Sequence, residues 1–301
     1  MSLPPLKHPS PKLEYRGGAS MQIAALALMS FMPLLTGCDS GRRNLADFFL
    51  LHPVNPTRDT TGAARRIVHA RNLDIDVWVL RSPAARRSPE PKAFVLEFTG
   101  NGNSAQEIVA WVANGIWKDR PVEVWAVNYP GFGGSSGVAK VANVAPAALA
   151  AYDELRRIAG DRPIFVSGAS FGGMTAIFVA SRRPVAGMLT MNPPPLRDII
   201  LREHGWWNLW TLATWVALEV PPELDAVANA ARCTAPLFAV VSVNDEVVPA
   251  QLQQRIYDRY AGAKTIIRMP QGTHGSNFTP EATAARQRWI DQVWSDTIRG
   301  D

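Results

Sequence analysis

Ser170 stands in a pattern suited to nucleophilic chemistry. It lies between two glycines, Gly168 and Gly172, in the run Gly168-Ala169-Ser170-Phe171-Gly172-Gly173. A short apolar stretch, Ile164-Phe165-Val166, precedes this G-x-S-x-G pattern, and a helix-compatible stretch, Met174 to Ala180, follows it. At a sharp strand-to-helix turn the serine hydroxyl is pushed out of the chain, and side chains at the two glycine positions would collide. The start of the following helix favours a developing negative charge. A serine hydroxyl is a weak nucleophile until a base removes its proton, and the usual base is a histidine oriented by a carboxylate. The chain has five histidines, His8, His52, His69, His204 and His274. His274 sits in Gly272-Thr273-His274-Gly275-Ser276, a glycine-loosened loop directly after the last expected strand. Two adjacent carboxylates, Asp245 and Glu246, follow the strand before it.

Several other chemistries are disfavoured. Gly133-Gly134-Ser135-Ser136-Gly137 also matches G-x-S-x-G, but several residues separate it from its strand, so it makes no sharp elbow and reads as a flexible loop. Gly100-Asn101-Gly102-Asn103-Ser104-Ala105 is a loose dinucleotide-type glycine pattern. A dehydrogenase would want an acidic residue ending the next strand, and that strand ends at Asn128-Tyr129. The two cysteines, Cys38 and Cys233, lie far apart and outside any zinc-type spacing, so no metal is expected. The net charge of +5 is carried by dispersed arginine pairs, which do not form the stripe that nucleic-acid binding requires.

The N-terminus reads as a processing segment. Lys7, Lys12 and Arg16 precede an apolar run from Ile23 to Leu35, too short to span a bilayer comfortably but suited to a signal peptide. It ends in Leu35-Thr36-Gly37-Cys38. This resembles the lipobox of bacterial lipoproteins, which implies removal of residues 1–37, lipidation of Cys38 and attachment to a membrane of the bacterial envelope, facing the periplasm or exterior. An uncleaved anchor with an incidental Cys38 is the alternative. Residues 38–63 hold Pro53, Pro56 and Gly62 among polar residues and read as a tether with little regular structure.

The elements that must position Ser170 fall in residues 64–301. Leu73, Ile75, Val77 and Val79 alternate with Asp74 and Asp76, predicting a strand with one half-buried face. Ala93 to Phe98 is nearly continuous in apolar residues, as in a parallel sheet covered on both sides. Further strands are expected at 122–127, 164–166, 187–191, 237–241 and 265–269, with helices between them and a closing helix over 281–298. This alternation predicts an α/β fold with a doubly wound, mostly parallel sheet. Residues 193–232 interrupt it with a Trp-rich helical insertion, read as a lid, whose Trp206, Trp207, Trp210 and Trp215 offer core packing, a wall for an acyl group or a membrane-facing surface.

The combination of Thr99-Gly100-Asn101-Gly102-Asn103, Asn128-Tyr129-Pro130-Gly131-Phe132-Gly133, the Ser170 motif, Asp245 and His274 resembles the α/β-hydrolase superfamily over roughly residues 64 to 300. It is most similar to the serine-hydrolase branch with S33 aminopeptidase-like and acyl-protein-thioesterase-like members. The order Ser, acid, His in that fold leaves His274 as the base. It favours Asp245 over Glu246, since the family places Asp before an apolar-Pro run, here Val247-Val248-Pro249. By resemblance the backbone N–H groups of Phe171 and Asn101 bind the oxyanion. Thr99 stands where relatives commonly carry His. The resemblance implies a cofactor-free acyl-enzyme mechanism on a small-molecule or lipid-like ester or thioester. A peptidase or amidase with the same residues, or a silent binding lipoprotein, are the alternatives.

Overall fold

A run of apolar residues buried on both faces organises the sheet. The computed structural model describes residues 44–54, 62–70, 72–204 and 211–298. The expected signal segment, Cys38, Trp206, Trp207 and Trp210 lie outside the described residues. Strand β3 (Ala93–Phe98) is buried along its whole length, with Phe94, Leu96 and Phe98 on one face and Ala93 and Val95 on the other. Around it the chain forms β1 (Ala64–Ala70), β2 (Leu73–Arg81), β4 (Val122–Val127), β5 (Ile164–Ala169), β6 (Gly187–Met191), β7 (Leu237–Ser242) and β8 (Lys264–Met269). The sheet order is β1-β2-β4-β3-β5-β6-β7-β8. β1 and β2 join antiparallel, as do β2 and β4, and all other neighbours run parallel.

Helices cover both faces. In chain order they are α1 (Leu45–Leu50), α2 (Ala105–Trp111), α3 (Val141–Ala159), α4 (Phe171–Ala180), α5 (Leu196–His204), α6 (Thr211–Glu219), α7 (Ala226–Ala230), α8 (Ala250–Arg259) and α9 (Pro280–Ile298). α3, α4, α7 and α8 contribute to the core on the Phe94 side, while α2 and α9 pack on the Val95 side. The latter layer is aromatic: Trp117 stands 4.9 Å from Phe165, and Trp294 stacks on the same ring. α5, α6 and α7 fall in the 193–232 insertion. α1 lies in the stretch expected to have little regular structure. Asn44 caps it through a reciprocal capping box with Asp47.

The alternation in β2 was expected to leave Asp76 on a half-exposed face, and the structure corrects this. Asp76 is fully buried, because tertiary donors converge on its carboxylate. Oδ1 accepts from Arg65 Nε at 2.6 Å, and Oδ2 accepts from Trp78 Nε1 at 3.1 Å, Asn128 Nδ2 at 2.8 Å and the Gly134 N–H at 2.9 Å. A buried carboxylate is tolerable only when its lone pairs are taken up in this way. The outer strands differ from the centre. β1 exposes Arg65 and Arg66, and β8 exposes Lys264 and Arg268.

Glu97 shares the Val95 face of β3 and is buried, with Ser167 Oγ donating to Oε2. Burial pushes its carboxyl up from 4.5 to about 7, against the smaller lowering effect of the Ser167 hydrogen bond. Below pH 4.5 both folded and unfolded chains hold this proton. Between 4.5 and 7 the unfolded chain ionises first, so rising pH favours unfolding, by about 3 kcal/mol over the window. Glu97→Gln is therefore expected to remove that loss. Urea denaturation at pH 4.5, 6 and 8 should show the variant gaining on the parent as pH rises, and a pH-independent difference would refute it.

Candidate active site

Ser170 directly follows β5 and immediately precedes α4, with φ 52° and ψ −122°. A non-glycine residue at positive φ is strained and persists only where its surroundings hold it. Here its N–H donates to the Met191 carbonyl at 2.7 Å, tying the turn to the end of β6. A methyl group on Gly172 would stand 2.0 Å from the Phe98 carbonyl oxygen, and one on Gly168 would stand 2.4 Å from the Gly172 carbonyl carbon. Only hydrogen fits at either position, so the first turn of α4 crosses directly over the end of β3.

The structure brings Ser170, His274 and Asp245 together. His274 Nε2 lies 3.0 Å from Ser170 Oγ, and Nδ1 lies 2.8 Å from Asp245 Oδ2. With Asp245 accepting from Nδ1–H, Nε2 is left as the acceptor facing the serine. The Asp245 side chain is wholly buried. Its other oxygen accepts the N–H groups of Val247 at 2.9 Å and Val248 at 2.7 Å, which fixes the carboxylate plane. Glu246 points to solvent.

The histidine loop depends on a residue that sequence reasoning passed over. Asn192 follows β6 with φ 49° and is buried. Its Oδ1 accepts from Ser242 N at 2.9 Å, while Nδ2 reaches Ser242 Oγ at 3.1 Å and the His274 carbonyl at 3.4 Å. One amide thus joins the ends of β6 and β7 to the His274 loop. The signal available in sequence was an asparagine, the residue most tolerant of this backbone after glycine, just before Pro193. Gly272 holds the same loop, accepting from Asn244 N at 2.9 Å and donating to Met269 at 3.0 Å.

The loop after β3 faces the start of α4. Thr99 is buried, and its hydroxyl donates to the Val127 carbonyl at 3.2 Å. Asn101 is clamped to the end of α1 and the segment after it: its Oδ1 accepts from His52 N at 2.8 Å and its Nδ2 donates to the Leu50 carbonyl at 2.7 Å. Nδ2 also lies 2.9 Å from His52 Nδ1. The loop leads into α2, whose Ala105 N–H is capped by Asn128 Oδ1 at 2.8 Å. Phe171, as first residue of α4, carries an N–H that the helix itself leaves unbonded. Behind it, Tyr129 Oη donates to Thr175 Oγ1 and Thr175 Oγ1 to the Phe171 carbonyl, each at 3.0 Å.

The other reactive side chains stand apart. Ser135 donates to the Asn128 carbonyl and accepts from the Asp76 N–H, each at 2.8 Å, so its hydroxyl is committed to structure. Cys233 is buried, and burial pushes its thiol up to about 12, which keeps it a poor nucleophile. Trp215 on α6 faces outward and donates its indole N–H to Glu219 Oε1 at 3.0 Å. Among the described residues no cluster of His, Cys, Asp and Glu could hold a metal ion. Among them, too, no helix is long and apolar enough to cross a membrane.

Comparison with known proteins agrees with the fold. The sequence profile of the alpha/beta hydrolase family matches residues 110–286. An uncharacterized protein of Mycobacterium tuberculosis strain CDC 1551 is 22% identical over 258 residues, covering 85% of this chain and 88% of its own. One from strain H37Rv is 26% identical over 238 residues, covering 78% and 81%. Among solved structures, Est1E of Butyrivibrio proteoclasticus with bound ferulic acid superposes with a TM-score of 0.63 at 15% identity, covering 76% of this chain and 99% of that one. The Pyrococcus furiosus esterase Pf2001 has a TM-score of 0.61 at 14% identity, covering 82% and 97%. Acetyl xylan esterase 1 of Thermoanaerobacterium has 0.57 at 15% identity, covering 81% and 88%. At these identities the likeness is one of fold.

Asn192→Ala leaves the buried Ser242 N–H unsatisfied and keeps a side chain at positive φ. It is expected to cost about 2–4 kcal/mol in urea denaturation. Asn192→Gly, which relieves the backbone but not the lost hydrogen bonds, should recover about 1 kcal/mol of it. Equal stability of the alanine variant and the parent would show that this asparagine does not hold the loop.

Proposed function

Because the chain belongs to the alpha/beta hydrolase family, we propose that it is a serine hydrolase with Ser170 as nucleophile, His274 as base and Asp245 as the orienting acid. The observation that carries this reading is the hydrogen-bonded chain from Asp245 Oδ2 through His274 to Ser170 Oγ, set on a positive-φ turn. Ser170 Oγ attacks an acyl carbonyl while His274 Nε2 takes its proton. The imidazolium so formed is stabilised by Asp245 and then gives the proton to the leaving group. The N–H groups of Phe171 and Asn101 receive the oxyanion, and one such donor is typically worth about 10²–10³ in rate. Water, deprotonated by the same histidine, releases the acid and restores Ser170. The steps draw on no cofactor.

We take the substrate to be a carboxylic ester or thioester with an apolar acyl group, a small molecule or a lipid. The esterases among the solved structures similar in fold favour ester cleavage. The Trp-rich insertion at 193–232, taken as a lid, favours an apolar acyl group. Cys38 is proposed to carry the lipid anchor of an envelope lipoprotein, with 1–37 removed as signal peptide and 193–232 acting as lid.

Ser170→Ala is expected to lose labelling by a fluorophosphonate probe and at least about 10⁴-fold in kcat, with an unchanged far-ultraviolet circular dichroism spectrum. Asp245→Asn should lower kcat by about 10⁴ with little change in KM. Stoichiometric labelling of the alanine variant rejects Ser170. Across a panel of p-nitrophenyl esters, acyl thioesters and aminoacyl amides, turnover of the amides alone rejects the ester reading in favour of a peptidase. Intact-mass analysis of membrane-extracted protein should find a diacylglyceryl-modified Cys38 at the mature N-terminus, and an unmodified Cys38 peptide rejects the anchor.

A further inference from the structure

We propose that α1 and α6 together form a docking face that lies against an anionic phospholipid bilayer, with Trp215, Leu218 and Phe48 as its apolar contacts. The proposal builds on the lipid-anchor reading of Cys38 and adds which surface of the folded domain meets the membrane. Leu218 is 76% exposed, Trp215 60% and Phe48 54%, the highest values among the exposed large hydrophobic side chains of the described residues. Trp215 and Leu218 are three residues apart on α6 and share one side of it. Single exposed apolar residues are ordinary, whereas a group of them on adjoining elements marks a contact surface.

The face is held rigid by one carboxylate. Glu219 Oε1 accepts the Trp215 indole N–H at 3.0 Å, and Oε2 accepts the Ala46 N–H at 2.9 Å. Glu219 therefore fixes the tryptophan ring outward and pins α6 to the start of α1. Asp47 secures α1 to the body by accepting the Val141 N–H at 2.7 Å.

The chain itself argues for a bilayer as the occupant. Only six residue steps separate Cys38 from Asn44, the cap of α1. At full extension they reach about 20 Å, so an acylated Cys38 keeps α1 within that distance of the headgroup layer. Within those steps lie Arg42 and Arg43, suited to anionic headgroups. Tryptophan is favoured where apolar and aqueous phases meet, which suits the outward-facing Trp215. A second copy of the chain fits less well. At these exposures the three side chains, of roughly 200 Å² each, offer about 400 Å² per copy, so two copies bury about 800 Å² in all, below the roughly 1,000 Å² that a stable interface needs.

The test places an environment-sensitive nitrobenzoxadiazole dye on the full chain, produced in a host that processes lipoproteins and reconstituted into phosphatidylethanolamine–phosphatidylglycerol vesicles. Leu218→Cys carries the dye on the proposed face. Lys92→Cys, exposed just before β3 and so at the opposite end of the strands from Ser170, carries it as the reference. Buried Cys233 stays unlabelled in the folded protein. Lipids spin-labelled near the headgroup should quench the dye at 218 at least threefold more than at 92, and Trp215→Ser in the Leu218→Cys background should cut that excess by half or more. Equal quenching at both sites overturns the proposal. So does a dye at 218 that is shielded from lipid quencher while sedimentation shows a doubled mass, the signature of a second copy. The mass of the Cys38 peptide reports separately on the anchor. If Cys38 is unmodified, the two readings are repeated in a Cys38→Ser background with added vesicles, so that the dye sits only at 218 or 92, and the quench ratio alone decides whether this face meets lipid.

Discussion

The closest constraint in the molecule is the passage of Gly172 over the Phe98 carbonyl. No side chain fits there, so the first turn of α4 sits directly on the end of β3. That contact sets the distance between the α4 N-terminus and the loop beginning at Thr99. It also forces Ser170 into positive φ, since the chain must leave β5 and enter α4 within one residue. The strain is stored locally and balanced by the hydrogen bond from Ser170 N to Met191 and by the packing of Phe171 against Tyr129.

Asparagine amides then hold the loops that converge on the crossing. Asn101 joins the loop after β3 to the backbone at Leu50 and His52, Asn128 joins α2 to the Asp76 network, and Asn192 joins β6, β7 and the His274 loop. Each amide offers a donor and an acceptor from one short side chain, so it can replace two backbone partners at once. Where loops meet without a ladder of their own, that two-sidedness satisfies backbone groups that burial would otherwise leave costly.

Much of the sheet was legible because its signals are local. The apolar run at 93–98, the strand before Ser170 and the closing helix each announce themselves within a window of a few residues. The glycine pair around Ser170 was legible for the same reason. Chain order in the resembled family left His274, and that family's Asp before an apolar-Pro run favoured Asp245; the structure brings both side chains to Ser170. Asp76, Asn192 and α1 were not legible. The burial of Asp76 depends on Arg65, Trp78, Asn128 and Gly134, which no periodicity in β2 reveals. Asn192 acts through partners 50 and 82 residues away. α1 is a six-residue helix, too short to be stable alone, and it forms where Glu219 and Val141 meet its first turn.

The two outer strands carry a consequence for how the protein behaves in bulk. An open sheet presents unpaired backbone donors and acceptors along both margins, and such margins template further strands from other molecules. Here the margin at β1 shows Arg66, beside an Arg65 whose charge is met by Asp76, and the margin at β8 shows Lys264 and Arg268. Both are basic, so bringing either margin of one molecule to either margin of another sets like charges face to face. At low ionic strength this repulsion guards crowded solutions against fibrous growth, and added salt, by screening it, weakens the guard.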